Sequence, residues 1–338
     1  MGHEVTLFAS GDSTTRAELV AVSPRALRLS RECVDPHIYH TLLLEQVFQR
    51  QEAFDVIHFH IDYMHFPMSR RVELNQLTTL HGRLDLPDLV PLYREYAEMP
   101  LTSISNAQRK PLSWANWVAN IYHGLPKNLF TPQAAHGKYL AFVGRISPEK
   151  RVDRAIQIAL RAGIPLKIAA KVDTPDREYF AQVIEPMLGE PSVEFLGEIS
   201  EPQKNELLGQ AYALMFPIGW PEPFGLAMIE AMACGTPVIA YPCGSVPEVV
   251  DEGKTGFIVS SEEEALKALE RIESLNRMAC RRVFEERFSA DRMAREYTAV
   301  YSSLCEREST TRMTLDGGTV WTKSSESRKN FTSSLPQL

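Results

Sequence analysis

Short apolar runs alternate with longer amphipathic stretches from the start of the chain to about residue 300. Val5-Thr6-Leu7-Phe8-Ala9 predicts a strand, and the turn residues Ser10-Gly11-Asp12-Ser13 follow it. Asp55–His60, Leu77–Leu80 and Thr102–Ser105 predict further strands, with a helix over Tyr39–Arg50. The pattern restarts at Tyr139–Val143, which ends on Gly144 and leads into a helix over Arg151–Ala162. Strands over Leu166–Ala170, Val193–Leu196, Ala213–Phe216, Thr236–Ala240 and Gly256–Val259 complete the series. Near-continuous apolar strands between helices are what a parallel sheet covered on both faces requires. The expected class is α/β, with two doubly wound domains meeting near residues 125–137. Ligands of such sheets sit beyond the carboxyl ends of the strands, and here also between the domains.

The 338 residues suit two domains, and 44% hydrophobic residues rule out a largely disordered chain. Lys and Arg number 36 against 43 Asp and Glu, a net charge of −7. That balance argues against a nucleic-acid partner, which needs a basic footprint. Residues 1–120 carry 11 basic and 14 acidic side chains, so no basic face points to an anionic membrane. Five cysteines without a C-x-x-C pair argue against a disulfide framework or a cysteine zinc site and favour a reducing compartment. The chain shows no secretory signal and no apolar run of bilayer-spanning length. The cytoplasm is the expected location.

The chemistry concentrates in one segment, Gly219-Trp220-Pro221-Glu222-Pro223-Phe224-Gly225-Leu226, which runs into a helix predicted over Phe224–Cys234. Glu222 lies in the loop and Glu230 nearly two turns into the helix, so both can face the ligand crevice. Carboxylates accept hydrogen bonds from vicinal hydroxyls, such as those of a sugar and a ribose. A surface loop glutamate and a helix-surface glutamate would look the same on these residues alone. The amides around Phe224, Gly225 and Leu226 offer a helix N-terminus as a phosphate seat. Gly144-Arg145-Ile146-Ser147-Pro148-Glu149-Lys150 adds a glycine turn with two cations just past a strand, which suits a diphosphate as well as a solvated loop.

Together these segments resemble the nucleotide-sugar-dependent retaining glycosyltransferases of family 4, which have the GT-B fold. The resemblance is carried by the Glu222-x7-Glu230 pair, the Gly-Arg-Ile-Ser-Pro-Glu-Lys loop, and Gly244-Ser245-Val246-Pro247-Glu248 with Thr255-Gly256-Phe257. Tyr122-His123-Gly124-Leu125-Pro126 and Thr79-Leu80-His81-Gly82 are also similar to family segments. The resemblance implies two Rossmann-like domains facing across a cleft: an acceptor-side domain over 1–130 and a nucleotide-sugar-binding domain over 131–288. A C-terminal helix over 289–305 would return to the first domain, and a Ser/Thr-rich flexible tail would follow from 306 to 338. It also implies that the usual first strand and glycine-rich loop are missing, so the N-terminal sheet is expected to leave an open edge or gap.

By the same resemblance, Glu222 binds hydroxyls of the donor sugar and Glu230 those of the ribose. Arg145 and Lys150 neutralise the diphosphate of a UDP- or GDP-sugar, assisted by amides at Phe224, Gly225 and Leu226. His81 lies beside the reacting carbon, and the Lys171-Val172-Asp173 loop lies near the base. Catalysis thus falls to His81, Arg145, Lys150 and Glu222, with no metal and no cofactor beyond the donor substrate. The expected activity is transfer of a hexose to an acceptor hydroxyl with retention; the alternative is a catalytically impaired nucleotide-sugar-binding or accessory protein. A glycoside hydrolase using Glu222 and Glu230 is disfavoured, because its two carboxylates must flank one scissile bond. His58 and His60, which share a strand face, do not make a zinc site without further ligands. Met228 and Met232, four apart, read as core packing.

Overall fold

The computed structural model describes residues 2–30 and 32–316. In the second domain the strands β7 (Tyr139–Arg145), β8 (Leu166–Lys171), β9 (Val193–Gly197), β10 (Ala211–Phe216), β11 (Val238–Ala240) and β12 (Gly256–Ile258) form one parallel sheet. Their order is β12-β11-β10-β7-β8-β9, so the chain reverses its direction of travel between β7 and β10. Alternate side chains of β10 enter opposite cores: Leu214 and Phe216 on one face, Ala213 and Met215 on the other. Burial on both faces is why these strands read as unbroken apolar runs.

The helices follow local chemistry. Helix Val152–Ala162 buries Val152, Ala155, Ile156 and Ala159, and ends on Gly163 at φ +65°. Helix Glu201–Gly209 starts from a capping box in which Ser200 and Gln203 satisfy each other's backbone amides. Helix Leu226–Ala233 lies almost wholly inside the domain, with Met228 and Met232 fully buried.

The first domain is arranged differently. Strands β3 (Ile57–Phe59), β4 (Gln76–Thr79), β5 (Leu101–Ser103) and β6 (Trp117–Asn120) form a parallel sheet in sequence order. Strands β1 (Thr6–Phe8) and β2 (Glu18–Val20) pair only with each other. No strand pairing joins β1 to β3 among the described residues; Phe8 instead packs on Phe54, Ile57 and Phe59. The N-terminal domain is therefore two sheets sharing an apolar cluster, not one continuous doubly wound sheet. Strands β2 and β6 have no counterpart in the sequence-based expectation, since each is only three or four residues long and shows no clean alternation.

The C-terminal helix Ala290–Asp316 crosses back to the first domain, where Tyr297 and Tyr301 pack with Leu77, Val118 and Ile121. It continues past the expected end at 305, which corrects the boundary of the tail. The sequence from 306 to 316 has no glycine or proline to stop the helix. The rest of the expected tail, residues 317–338, lies outside the described residues.

Candidate functional site

A cleft of about 300 Å³ opens at the carboxyl ends of β7 and β10, the point where the strand order reverses. Arg145 ends β7 itself, one residue beyond the expected strand end at Gly144, and Lys150 follows on the next turn. Arg151, beside it, holds a left-handed backbone at φ +55°, and its guanidinium is tied to Asp153 at 2.8–3.0 Å. A non-glycine residue in that region is held by its surroundings, so the turn that aims Lys150 is a constrained one.

From the opposite wall, Glu222 accepts hydrogen bonds from Lys150 Nζ at 2.5 Å and Trp220 Nε1 at 2.9 Å. Gly244, at φ +61°, lies against the Glu222 backbone so closely that a Cβ there would sit 2.2 Å from its carbonyl oxygen. Gly225, at φ +80°, opens helix Leu226–Ala233, and a Cβ there would meet Phe216 at 2.9 Å and Met228 at 2.8 Å. The helix begins at Leu226 rather than Phe224, and in its first turn the Met228 amide already donates to the Gly225 carbonyl at 3.1 Å. Phe224 is 2% exposed and does not line the cleft; it packs edge-on against His123 at 5.0 Å between ring centres.

Glu230 lines the cleft floor with only 8% of its surface exposed. Burial raises its pKa, and the ammonium of Lys204, 2.8 Å away, works against that rise. Arg145 is more open: it pairs with Glu149 at 2.8 Å and lies 3.8 Å from Asp173. Lys171 pairs with the same Asp173 at 2.7 Å, which brings the Lys171–Asp173 loop to the rim beside Arg145.

The first domain contributes a stack of imidazoles. His60 Nδ1 and His81 Nε2 are 2.9 Å apart, and His81 lies parallel to His123 with 5.3 Å between ring centres. Desolvation holds His60 and His123 down to about 4 and lowers His81, against which the nearby Asp62 carboxylate acts. Two rings sharing one hydrogen bond at neutral pH must divide donor and acceptor roles between them. Asp62 itself sits at φ +50°, and burial raises its pKa. His81 stands outside the lining of the 300 Å³ cleft and reaches the second domain through His123 and Phe224. His58 is bonded to Tyr301 and Thr79 at 2.7 Å, so it faces the C-terminal helix rather than a ligand. Among the described residues no group of three or more His, Cys, Asp or Glu is arranged to hold a metal ion.

The structure thus brings Arg145, Lys150, Glu222, Gly225, Leu226 and Glu230 to one cleft. Sequence reasoning passed over Trp220 and Lys204, which fix the two glutamates, and did not pair His60 with His81. Lys204 had no signal, since it lies 26 residues from its partner on a different helix. Trp220 had a weak one, its place two residues before Glu222.

Residues 130–287 match the family model described as Glycosyl transferases group 1. The matched region is just under half of the chain. It contains the whole cleft described above. Among curated relatives, a D-inositol 3-phosphate glycosyltransferase from Mycolicibacterium smegmatis is 29% identical over 197 residues, 53% of this chain and 43% of that protein. An alpha-maltose-1-phosphate synthase from the same organism is 31% identical over 137 residues, 39% and 35% of the two chains. A probable sucrose-phosphate synthase from Thermosipho melanesiensis is 46% identical over 80 residues, 22% and 19%. The matched stretches span less than half of each relative. Among solved structures, AviGT4, a glycosyltransferase involved in avilamycin A biosynthesis, superposes with a TM-score of 0.68 at 22% identity, covering 90% of this chain and 86% of that one. Anabaena Alr3699/HepE in complex with UDP and glucose gives 0.68 at 17% identity, covering 84% and 86%. These likenesses show the fold: an α/β chain of the GT-B type. No helix among the described residues is long and apolar enough to cross a membrane.

Proposed function

We propose that this chain is a metal-independent retaining glycosyltransferase that moves a hexose from a UDP- or GDP-sugar to an acceptor hydroxyl. The observation that carries the reading is the cleft at the strand-order reversal of the second domain. It places two cations, Arg145 and Lys150, beside two carboxylates, Glu222 and Glu230. A nucleotide-sugar has matching parts: a diphosphate for the cations, and hexose and ribose hydroxyls for the carboxylates. In the reaction the anomeric carbon–oxygen bond to the diphosphate breaks, and the departing phosphate keeps the electron pair. A new bond forms from the acceptor oxygen, whose proton passes to the departing phosphate oxygen. Lys150 and Arg145 act on the charge that grows on the leaving phosphate, with the first-turn amides of helix Leu226–Ala233. Glu222 exchanges its contact with Lys150 for sugar hydroxyls, which frees Lys150 for the phosphate. His81 faces the reacting carbon from the first domain, its ring held by His60 and His123. Retention of configuration rests on the family resemblance alone.

The UDP-bound fold relative supports a uridine donor for that protein and makes UDP-sugars the first to test here. Thermal-shift measurements with UDP-, GDP- and ADP-glucose identify the donor nucleotide by mass action. Release of free nucleoside diphosphate in the presence of an acceptor library then reads transfer. The reading fails if no nucleotide-sugar raises the melting temperature. A second reading, an accessory protein that binds nucleotide-sugar and transfers poorly, is favoured by the divided N-terminal sheet. It predicts a clear melting shift with no nucleoside diphosphate released.

A further inference from the structure

Helix Glu201–Gly209 runs behind the cleft floor, held at its start by the Ser200–Gln203 capping box. That cap places Lys204 on the first turn, with its stem running inward so that its side chain is only 16% exposed. Its ammonium reaches Glu230 Oε1 at 2.8 Å and Glu201 at 2.8 Å, and lies 5.7 Å from the centre of the Phe130 ring. Lys204 does not line the cleft; it meets Glu230 from the protein side while Glu230 faces the ligand side. A buried carboxylate without a cation partner takes up a proton, and a carboxyl group then offers fewer acceptor sites.

We infer that Lys204 is the positioning residue that keeps Glu230 ionised and fixed, so that both carboxylate oxygens accept the vicinal hydroxyls of the donor's ribose. This rests on the nucleotide-sugar reading of the cleft. Carboxylate oxygens have about four lone-pair sites, so Oε1 can hold the ammonium and still accept a hydroxyl. The charged and titratable groups around Glu230 are few. From the neighbouring helix Lys204 favours its ionised form and Glu201 opposes it. On its own helix Cys234 follows one turn later, with burial pushing its thiol up to about 12, so it stays neutral. Across the cleft, Lys150 is engaged by Glu222 and Arg145 by Glu149. Burial opposes the charge on Lys204 too, yet Glu230 and Glu201 outweigh it and hold its pKa above the ordinary value. Lys204 therefore remains charged wherever Glu230 titrates.

The test measures binding of UDP-, GDP- and ADP-glucose to the full chain by calorimetry between pH 5 and 8.5. The phosphates of these diesters do not titrate in that range, so an acid fall in affinity reports the protein. In wild type the fall marks protonation of Glu230. In Lys204→Met the fall begins at higher pH, giving about tenfold weaker binding at the acid end of the range and near-equal binding at pH 8.5. Lys204→Arg restores the wild-type profile. The double variant Lys204→Met/Glu230→Gln, which removes both charges of the pair, binds more weakly but without the acid fall. A cation that only braces the helix predicts one uniform loss at every pH, and that result overturns the inference. So does an acid fall that persists in the double variant, a measurement that stands even if Lys204→Met does not fold. If wild type binds none of the three donors at any pH, the nucleotide-sugar reading fails and takes this inference with it.

Discussion

Glu248 belongs to the second domain but spends its carboxylate on the first. Its oxygens accept from the backbone amides of Asn106 at 2.8 Å and Ala107 at 2.6 Å, from Asn106 Nδ2 at 3.1 Å, and from the Tyr122 hydroxyl at 3.0 Å. Asn106 and Ala107 open a short helix of the first domain, so this glutamate caps a helix across the domain boundary. Replacement by alanine removes all four bonds. A hydrogen bond to a charged group is worth about 1.5–3 kcal/mol, and four bonds to one half-exposed carboxylate are far from additive. We expect about 3 kcal/mol less coupling between the domains for Glu248→Ala and about half that for Glu248→Gln, which keeps the shape but not the charge. Three kcal/mol is roughly a hundredfold in a closed-to-open equilibrium. Hydrogen exchange at the Asn106 and Ala107 amides should quicken at least tenfold. Any ligand needing the closed pair of domains should bind more weakly by the fraction lost. Unchanged exchange at those amides, with donor affinity within twofold of wild type, would refute the idea that Glu248 couples the domains.

Three further outcomes follow from the geometry. Gly244→Ala should weaken donor binding sharply because its Cβ meets the Glu222 backbone, whereas Gly253→Ala, equally left-handed at φ +70° but with nothing within 4 Å, should show only backbone strain of about 1–2 kcal/mol; equal effects on donor binding would contradict this. His65 is fully buried and burial holds its pKa at about 3, against about 6.5 when unfolded, so below pH 6.5 the unfolded chain binds a proton that the fold does not. Stability is therefore independent of this group above about pH 7 and falls as pH drops from 6.5 toward 3, by about 1.4 kcal/mol per pH unit, and His65→Gln should flatten that part of the denaturation profile. Transfer should continue in EDTA, since Arg145 and Lys150 supply the positive charge at the leaving phosphate; a loss of turnover restored by Mg²⁺ or Mn²⁺ would contradict that assignment.

The alternation of apolar runs and amphipathic helices, with glycines at the turns, is a local property, and it determined the α/β class and the place of most strands in the second domain. The same local chemistry put Glu222 in a loop after a strand, Glu230 inside a helix, and Arg145 and Lys150 on a turn past another strand. Strands β2 and β6 escaped because three or four residues such as Glu18-Leu19-Val20 or Trp117-Val118-Ala119-Asn120 carry no period long enough to read. Strand order is a pairing between segments far apart in sequence, so only the folded sheet shows that β7 and β10 are neighbours and that the cleft lies between them. Contacts that set the charge of the site are equally non-local: Lys150 meets Glu222, Lys204 meets Glu230, and Glu248 meets Asn106 across the domains. Side chains of this kind are common on any surface. Their chemistry becomes specific only where tertiary packing removes water and sets opposite charges within hydrogen-bond reach, because burial and distance, rather than residue type, decide what a charge is worth.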